Sequence, residues 1–394
     1  MVGAPCFRRW RIGSLGLNPD TMRCMDQAPL TTAVFNDLIA SLSEIRDQYA
    51  LSDERFGDPL DVVEAYRYVG QVLSAASELF IEGDGDHPRF ASIASPARKM
   101  QGDNPDAIYH YARVRGDRAY RVFGKIETSC YTSFTIHGAA ADGGMAGPLL
   151  GDVNNRDFDV AADGSYELVL SATEEPGNWL YLDPTAYAVI VRTYYQLPVS
   201  AQNDPYSSVK IGIEVRGEVP PPAPLTDSVL AERFGDAVKF VRQATLGQTV
   251  FGTSVGIPFV AETPNTLPVP FSFRDSGLPV PGAADIVYAM GRWDLGQDEA
   301  LEMTGRLPSG VFANVMLWNK HMQTLEYRHR TSSINQAQLK LEDDGSFKIV
   351  VAHRDPLVLN WLDTEGHSVG TIFWRFLLPD EDPGAISCRV YKLP

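Results

Sequence analysis

Seven histidines are spread through the 394 residues. An imidazole titrates near neutrality, so it is the usual proton donor or acceptor and, when neutral, a common metal ligand. Three of them, His110, His137 and His353, are the candidate general acids or bases. His137 closes the run Tyr131 to Ile136 just before the glycine-rich stretch Gly138 to Gly151, and sites on β scaffolds are built on loops at strand ends. Arg328 and Arg330, in Glu326-Tyr327-Arg328-His329-Arg330, carry the donor fork that holds a carboxylate or phosphate bidentately. The competing reading pairs them with nearby Asp or Glu on a strand edge. With His321, Tyr109 and Trp318 they make up the candidate substrate-binding set. His321 and His329 lack a third ligand at metal-site spacing, so no sequence-local metal site is supported, which leaves only one assembled from different strands. No glycine-rich strand-to-helix turn of the dinucleotide-binding kind is found, and no cofactor is expected.

Other constellations are weaker. Gly252-Thr253-Ser254-Val255-Gly256 spells the nucleophile elbow, which needs a strand before it and a helix after it. A helical stretch lies upstream instead, and Pro258, Pro264 and Pro268 block a helix downstream, so a loop is expected. Glu82-Gly83-Asp84-Gly85-Asp86-His87 gathers three carboxylates and an imidazole, but Ser95 stands where a calcium loop counted from Asp84 needs a bidentate Glu. Asp152, Asn154, Asp157 and Asp159 share that weakness.

Two helices and a duplicated β region must position these groups. Val34, Phe35, Leu38, Ile39, Leu42 and Ile45 recur at helical spacing, as do Val62, Tyr66, Val69, Leu73, Ala76 and Phe80 after the start signal Asp58-Pro59. A helical hairpin is predicted, docked on the sheets that follow. From Ser95 onward the texture is strand and turn. Asp163-Gly164-Ser165-Tyr166 returns as Asp344-Gly345-Ser346-Phe347, Asn178-Trp179-Leu180 as Asn360-Trp361-Leu362, and Arg192 as Arg375. Gly124 to Gly305, Asp163 to Asp344 and Pro198 to Pro379 share a separation of 181 positions, a register that chance β similarity would not hold. Asp106, Tyr109 and Arg113 return as Asp285, Tyr288 and Arg292. Groups kept in both copies are expected to maintain the common fold. Groups present once are the better candidates for chemistry, and this filter selects His137 opposite Trp318, His110 opposite Ala289 and His353 near Ala172.

Composition bounds the rest. Lys+Arg 34 against Asp+Glu 50 gives a net charge of −16, which disfavours nucleic acid and anionic membrane surfaces as partners. No run approaches 18 apolar residues, so no membrane span is predicted. Four dispersed cysteines fit a reducing, cytoplasmic setting, and the first 25 residues lack a secretory apolar region. The expected fold class is mainly β with helices: an N-terminal helical hairpin, then two duplicated antiparallel β-sandwich-like or open-barrel modules joined by a helix-containing connector. The divisions read as a disordered extension over 1–25, the hairpin over 26–95, copy one over 96–200, a connector with a proline-rich turn and a helix over 201–283, and copy two over 284–394.

The stretch Asp103-Asn104-Pro105-Asp106-Ala107-Ile108-Tyr109 resembles an Asn-x-Asp-Thr-x-Tyr signature, and Asp344-Gly345-Ser346, Asn360-Trp361-Leu362 and Arg375 resemble a second pattern, of one bacterial two-domain family. Its halves are known as domains of unknown function twelve-fifty-four and twelve-fourteen. Ala107 stands where the family has Thr. The resemblance implies paired β modules and brings no reaction, catalytic residue or cofactor. On the residues alone, the expected function is a cofactor-independent hydrolase or lyase. It would act on a small, partly apolar metabolite between the modules, with a histidine as acid or base and an arginine orienting the substrate. The alternative is a non-catalytic ligand-binding or protein-interaction module; a homo-oligomer is open in either case.

Overall fold

In the computed structural model, residues 28–394 are described apart from 53, 205–206, 251, 255, 275 and 277–284. The expected extension over 1–25 lies outside the described residues. Helix α1 (Leu30–Ile45) runs into a π turn. Helix α2 (Pro59–Ala76) starts as its sequence dictates: the Asp58 carboxylate accepts from the Leu60 amide at 2.8 Å, and Pro59 occupies the first turn, where no amide donor is needed. Its Tyr68, Val72, Ala75 and Ala76 enter one buried cluster with Phe240 of helix α3 (Asp227–Thr245) and with Tyr111, Ala188 and Ile190 of the first β module. The predicted docking of the hairpin on a sheet is therefore met by α2. The α1 stripe is only half used. Phe35 and Ile39 remain 50% and 52% exposed, because α1 meets the narrower α3 rather than a sheet, with Phe35 against Phe234 and the Arg242 guanidinium donating to Glu44.

Two modules of nine strands follow. The first holds β1 (Ala91–Ser92), β2 (Ala107–Arg113), β3 (Tyr120–Lys125), β4 (Tyr131–Gly138), β5 (Leu149–Asn154), β6 (Ser165–Ser171), β7 (Trp179–Tyr181), β8 (Ala186–Tyr194) and β9 (Lys210–Val215). The second holds β10 (Phe271–Ser272), β11 (Ile286–Asp294), β12 (Glu299–Gly305), β13 (Gly310–Trp318), β14 (Ser333–Asn335), β15 (Phe347–Ala352), β16 (Trp361–Asp363), β17 (Val369–Pro379) and β18 (Ser387–Lys392). Sheet order is β1-β2-β8-β4-β5 with β7-β6-β3-β9 in one, and β10-β11-β17-β13-β14 with β16-β15-β12-β18 in the other. Strand for strand the two are the same fold used twice. Inward residues of both sheets, such as Phe134 and Val191 with Val122 and Leu168, share one core, so each module is a sandwich and not an open barrel. Strand β9 falls inside the stretch that composition assigns to the connector, yet it pairs with β3 and completes module one. A lone strand carries no sign of which sheet it will join.

The duplicated motifs have structural work. The Asp163 and Asp344 carboxylates accept from the Ser165 and Ser346 amides in turns whose Gly164 and Gly345 sit at φ 85° and 79°, left-handed positions that suit glycine. Asn178 donates to the Glu167 and Asp159 carbonyls, and Asn360 to those of Lys348 and Lys340. These amides fasten β7 and β16, which pair in parallel within otherwise antiparallel sheets.

The two five-stranded sheets meet through reciprocal bonds. Asp106, fully buried, accepts from Asn314 and Asn335 of module two at 3.0 and 2.9 Å. Its counterpart Asp285 accepts from Tyr131 and Asn154 of module one at 2.6 and 3.2 Å. Asn154 and Asn335 are equivalent positions. Each copy thus offers its aspartate to the other copy's asparagine, the pattern of a two-fold interface within one chain.

Candidate functional site

Alternation along the strands decides what faces that interface. On β8, Val189 and Val191 turn into the sandwich while Ile190, Arg192 and Tyr194 face outward; on β17, Ile372, Trp374 and Phe376 turn inward while Phe373 and Arg375 face outward. These outward groups, with Tyr109 of β2, Tyr288 of β11 and Trp318 of β13, line a cavity of about 500 Å³. The end of α3 and its following turn, Gln243 and Gly247 to Thr249, cover one side, and Met145 and Ala146 of the glycine-rich loop another. The walls are aromatic. Trp318 and Phe373 stack with centroids 4.4 Å apart, Tyr288 lies 5.6 Å from Phe373, and Phe259 5.7 Å from Tyr288.

Two guanidinium groups enter this wall, one from each copy. Arg375, nearly buried, lies 4.7 Å over the Phe373 ring and 5.3 Å from that of Trp318, and it donates to the Gly102 carbonyl at 2.7 Å. Arg192 donates to the Thr135 hydroxyl at 2.7 Å. Among the described residues neither has a carboxylate within 4.0 Å, although most of the other arginines do. Asp103 and Asp106 lie behind Arg375. Burial raises both carboxyls, that of Asp106 to about 6, against the lowering effect of the amides bonded to it and of the Arg375 charge. Burial also holds the Tyr109 phenol well above its ordinary value, so it is a neutral hydroxyl.

The residues singled out from the sequence fall into three groups. Tyr109 and Trp318 line the cavity. His137 stands one side chain away: Nδ1 faces the Gly147 carbonyl at 3.1 Å, Nε2 lies 3.1 Å from the Thr135 hydroxyl, whose single proton also reaches the Ile190 carbonyl at 3.2 Å, and burial lowers the imidazole pKa. The chain Arg192, Thr135, His137, Gly147 therefore links the cavity wall to the loop that covers it. The others do not converge there. His110 points into the module-one sandwich near Phe90 and is held down to about 4 by burial, with Nδ1 unpartnered. His353 bonds the Thr364 hydroxyl and the Leu295 carbonyl. His321 lies under α2 between the Tyr49 hydroxyl and the Asp61 carbonyl. Arg328 and Arg330 take the competing reading, paired with Glu326 and Asp363 at 2.8 and 2.7 Å. No group of three or more His, Cys, Asp or Glu among the described residues could hold a metal.

Sequence reasoning passed over two features. The Arg192 and Arg375 pair was visible in the duplication, but the filter that assigns shared residues to folding sets such pairs aside. It fails where one cavity is built by both copies. The second is His367, whose ring nitrogens both face acceptors, the Thr364 carbonyl at 2.9 Å and the Glu64 carboxylate of α2 at 3.0 Å. Its pKa is raised against burial by that carboxylate, which makes a buried ion pair.

Residues 294–381 match the family described as "Protein of unknown function (DUF1214)". The crystal structure of an uncharacterised protein from Burkholderia cenocepacia superposes with a TM-score of 0.80 at 33% identity, over 92% of this chain and 98% of that one. The chain belongs to that bacterial family of unknown function. The family's twelve-fourteen signature thus falls on module two, where Asp344, Asn360 and Arg375 lie. A Vibrio parahaemolyticus protein aligns at 10% identity with a TM-score of 0.47, over 83% of this chain and 98% of that one. No curated protein matches the chain. No helix among the described residues is long and apolar enough to cross a membrane.

Proposed function

We propose that this family member binds a small anion with an aromatic or apolar body, a monocarboxylate in the simplest case, in the cavity between the modules. The observation that carries this reading is the pair Arg192 and Arg375: two cations, one per copy, in an aromatic wall with no carboxylate paired to either. A guanidinium drawn out of water favours an anionic partner, and a planar carboxylate fits its fork. The rings supply apolar and stacking surface for the ligand body, and a cavity of about 500 Å³ is in the range that small-molecule sites occupy. Thermal shift and calorimetry with aliphatic and aryl-alkyl monocarboxylates test it. Binding of acids but not of their neutral amides is expected, weakened at least tenfold by Arg192→Gln. Equal binding of acid and amide would remove the reading.

An enzyme with hydrolase or lyase chemistry is the second reading, and the Arg192, Thr135, His137 chain is what favours it. A bound acid held by Arg192 would place His137 one hydroxyl away as a proton acceptor. His137→Asn should then abolish turnover of a bound compound while leaving its affinity intact. We infer also that module one is the twelve-fifty-four half of the two-domain family, on the strength of Asn104, Asp106 and Tyr109. Cys130 and Cys388 are both unpaired, in keeping with a reducing compartment.

A further inference from the structure

A smaller pocket of about 80 Å³ adjoins the central cavity, and Gln248, Thr249, Met290 and Met322 line both. Its far wall differs in kind. Arg292 of β11 reaches into it with Thr371 and Ser254 nearby, where the central cavity has rings. The Arg292 Nε is buried without a hydrogen-bond partner, and among the described residues no carboxylate lies within 4.0 Å of its guanidinium. The counterpart Arg113 shows what this side chain does when it serves the fold: it stacks 3.2 Å over Tyr187 and pairs with Asp236. Arg292 makes neither contact. Lys320, the other cation of the pocket, is paired with Asp61 at 2.6 Å, and Glu262, the carboxylate in the lining, accepts from the Gly256 amide at 3.2 Å and makes no ion pair with Arg292. Gly252 packs against it; a Cβ there would stand 2.7 Å from Nη1. The loop that spells a nucleophile elbow thus leaves room for a guanidinium.

We propose that this pocket is a second anion subsite and that the ligand is a dianion, two acid groups joined by an apolar segment, with one end at Arg192 and Arg375 and the other at Arg292. This rests on the reading of the central cavity as a carboxylate site. A volume of about 80 Å³ admits one carboxylate-sized group, and the shared methionines offer a pliable apolar passage for the chain between the ends.

The test is calorimetry on the full-length protein with straight-chain α,ω-dicarboxylates from adipate to dodecanedioate, each against the monocarboxylate of equal chain length. One chain length should bind roughly tenfold or more tighter as the diacid, the worth of one added charge pair. Arg292→Gln should remove that advantage and leave monocarboxylate affinity unchanged, while Arg292→Lys should keep part of it; unfolding midpoints check that both variants fold. Monoacid binding with no diacid advantage at any length would overturn the second subsite and leave the central cavity standing. An Arg292→Gln protein that weakens both acids alike would do the same. If neither acid binds the wild-type protein at millimolar concentration, both readings fall.

Discussion

The two copies keep one fold and one arginine, and differ in what surrounds it. Around Arg192 stand Ile190, Thr135 and His137, a mixed wall that reaches the Gly147 carbonyl. Around Arg375 stand Phe373, Trp318 and Met316 at the equivalent positions, a wall of rings and sulfur with the guanidinium bonded to the Gly102 carbonyl. Ile190 answers to Phe373 and His137 to Trp318. One copy therefore presents its cation in a polar, hydrogen-bonded setting and the other in an aromatic one. Duplication kept the charge and varied its surroundings.

Replacing each arginine in turn should break this comparison most strongly. Arg375→Met removes a nearly buried guanidinium and leaves the Gly102 carbonyl unpaired, so a loss of about 2–4 kcal/mol in urea unfolding is expected. Arg192→Met should cost about 1 kcal/mol, since only a hydroxyl is left behind. Equal costs would mean that the walls do not differ as described.

The buried aspartate behind Arg375 gives the next effect. Its folded pKa, about 6, lies above the unfolded value, so the folded state holds the proton more tightly. The resulting stability is fully present below the unfolded pKa and is lost as pH rises through about 6. The shift corresponds to about 2–3 kcal/mol between pH 4 and pH 7. Asp106→Asn should flatten this segment of the pH–stability profile. A profile unchanged by Asp106→Asn would contradict the placement of that carboxyl.

A third contrast is in how the helices are held. On module one α2 packs by apolar contact in the cluster of Tyr111, Ala188 and Ile190 while α3 adds bonds from Asp236 to Tyr187 and Arg113, whereas on module two α2 is bound by polar groups, Glu64 to His367 and Asn319, and Asp61 to Lys320. His367 is raised, so its share of stability is present at acid pH and lost as pH rises through its folded value; Glu64 is lowered, so its share is present above its unfolded pKa and lost as pH falls through the folded one. The pair is fully formed only between those two values. His367→Asn should abolish the loss on the alkaline side, at a cost of about 1–3 kcal/mol at pH 6, measured by urea midpoints across pH 5 to 9. The smallest effect is expected from Arg328→Gln, an exposed pair with Glu326, within about 0.5 kcal/mol and without change in ligand binding.

The architecture was legible because duplication and periodicity are local signals. The 181-residue register, the Asp-Gly turns and the Asn-Trp pairs all reappear as equivalent strands and fastenings. The helical hairpin was legible in its capping residues, while the exposure of Phe35 and Ile39 was not, because a stripe does not say how wide its partner will be. The site was half legible. Tyr109, Trp318 and a cleft between modules could be named, since strand ends and interfaces are where pockets form. Arg192 and Arg375 are visible as a duplicated pair, but sequence cannot show that two equivalent outward positions face each other across one space. The chemistry of His110, His321 and His353 is displayed by the sequence, while their partners, a sandwich interior, a helix carbonyl and a threonine, come from distant segments and are not.

The reciprocal aspartate bonds bear on ancestry. Each copy's carboxylate draws hydrogen bonds from side chains of the other, so a single module alone would leave Asp106 without Asn314 and Asn335, and Asp285 without Tyr131 and Asn154. A one-module ancestor keeping these bonds would have been a symmetric dimer, with two identical arginines facing one cavity across the axis. In a single chain the halves are free to differ, as they do where one wall has Trp318 and the other holds His137.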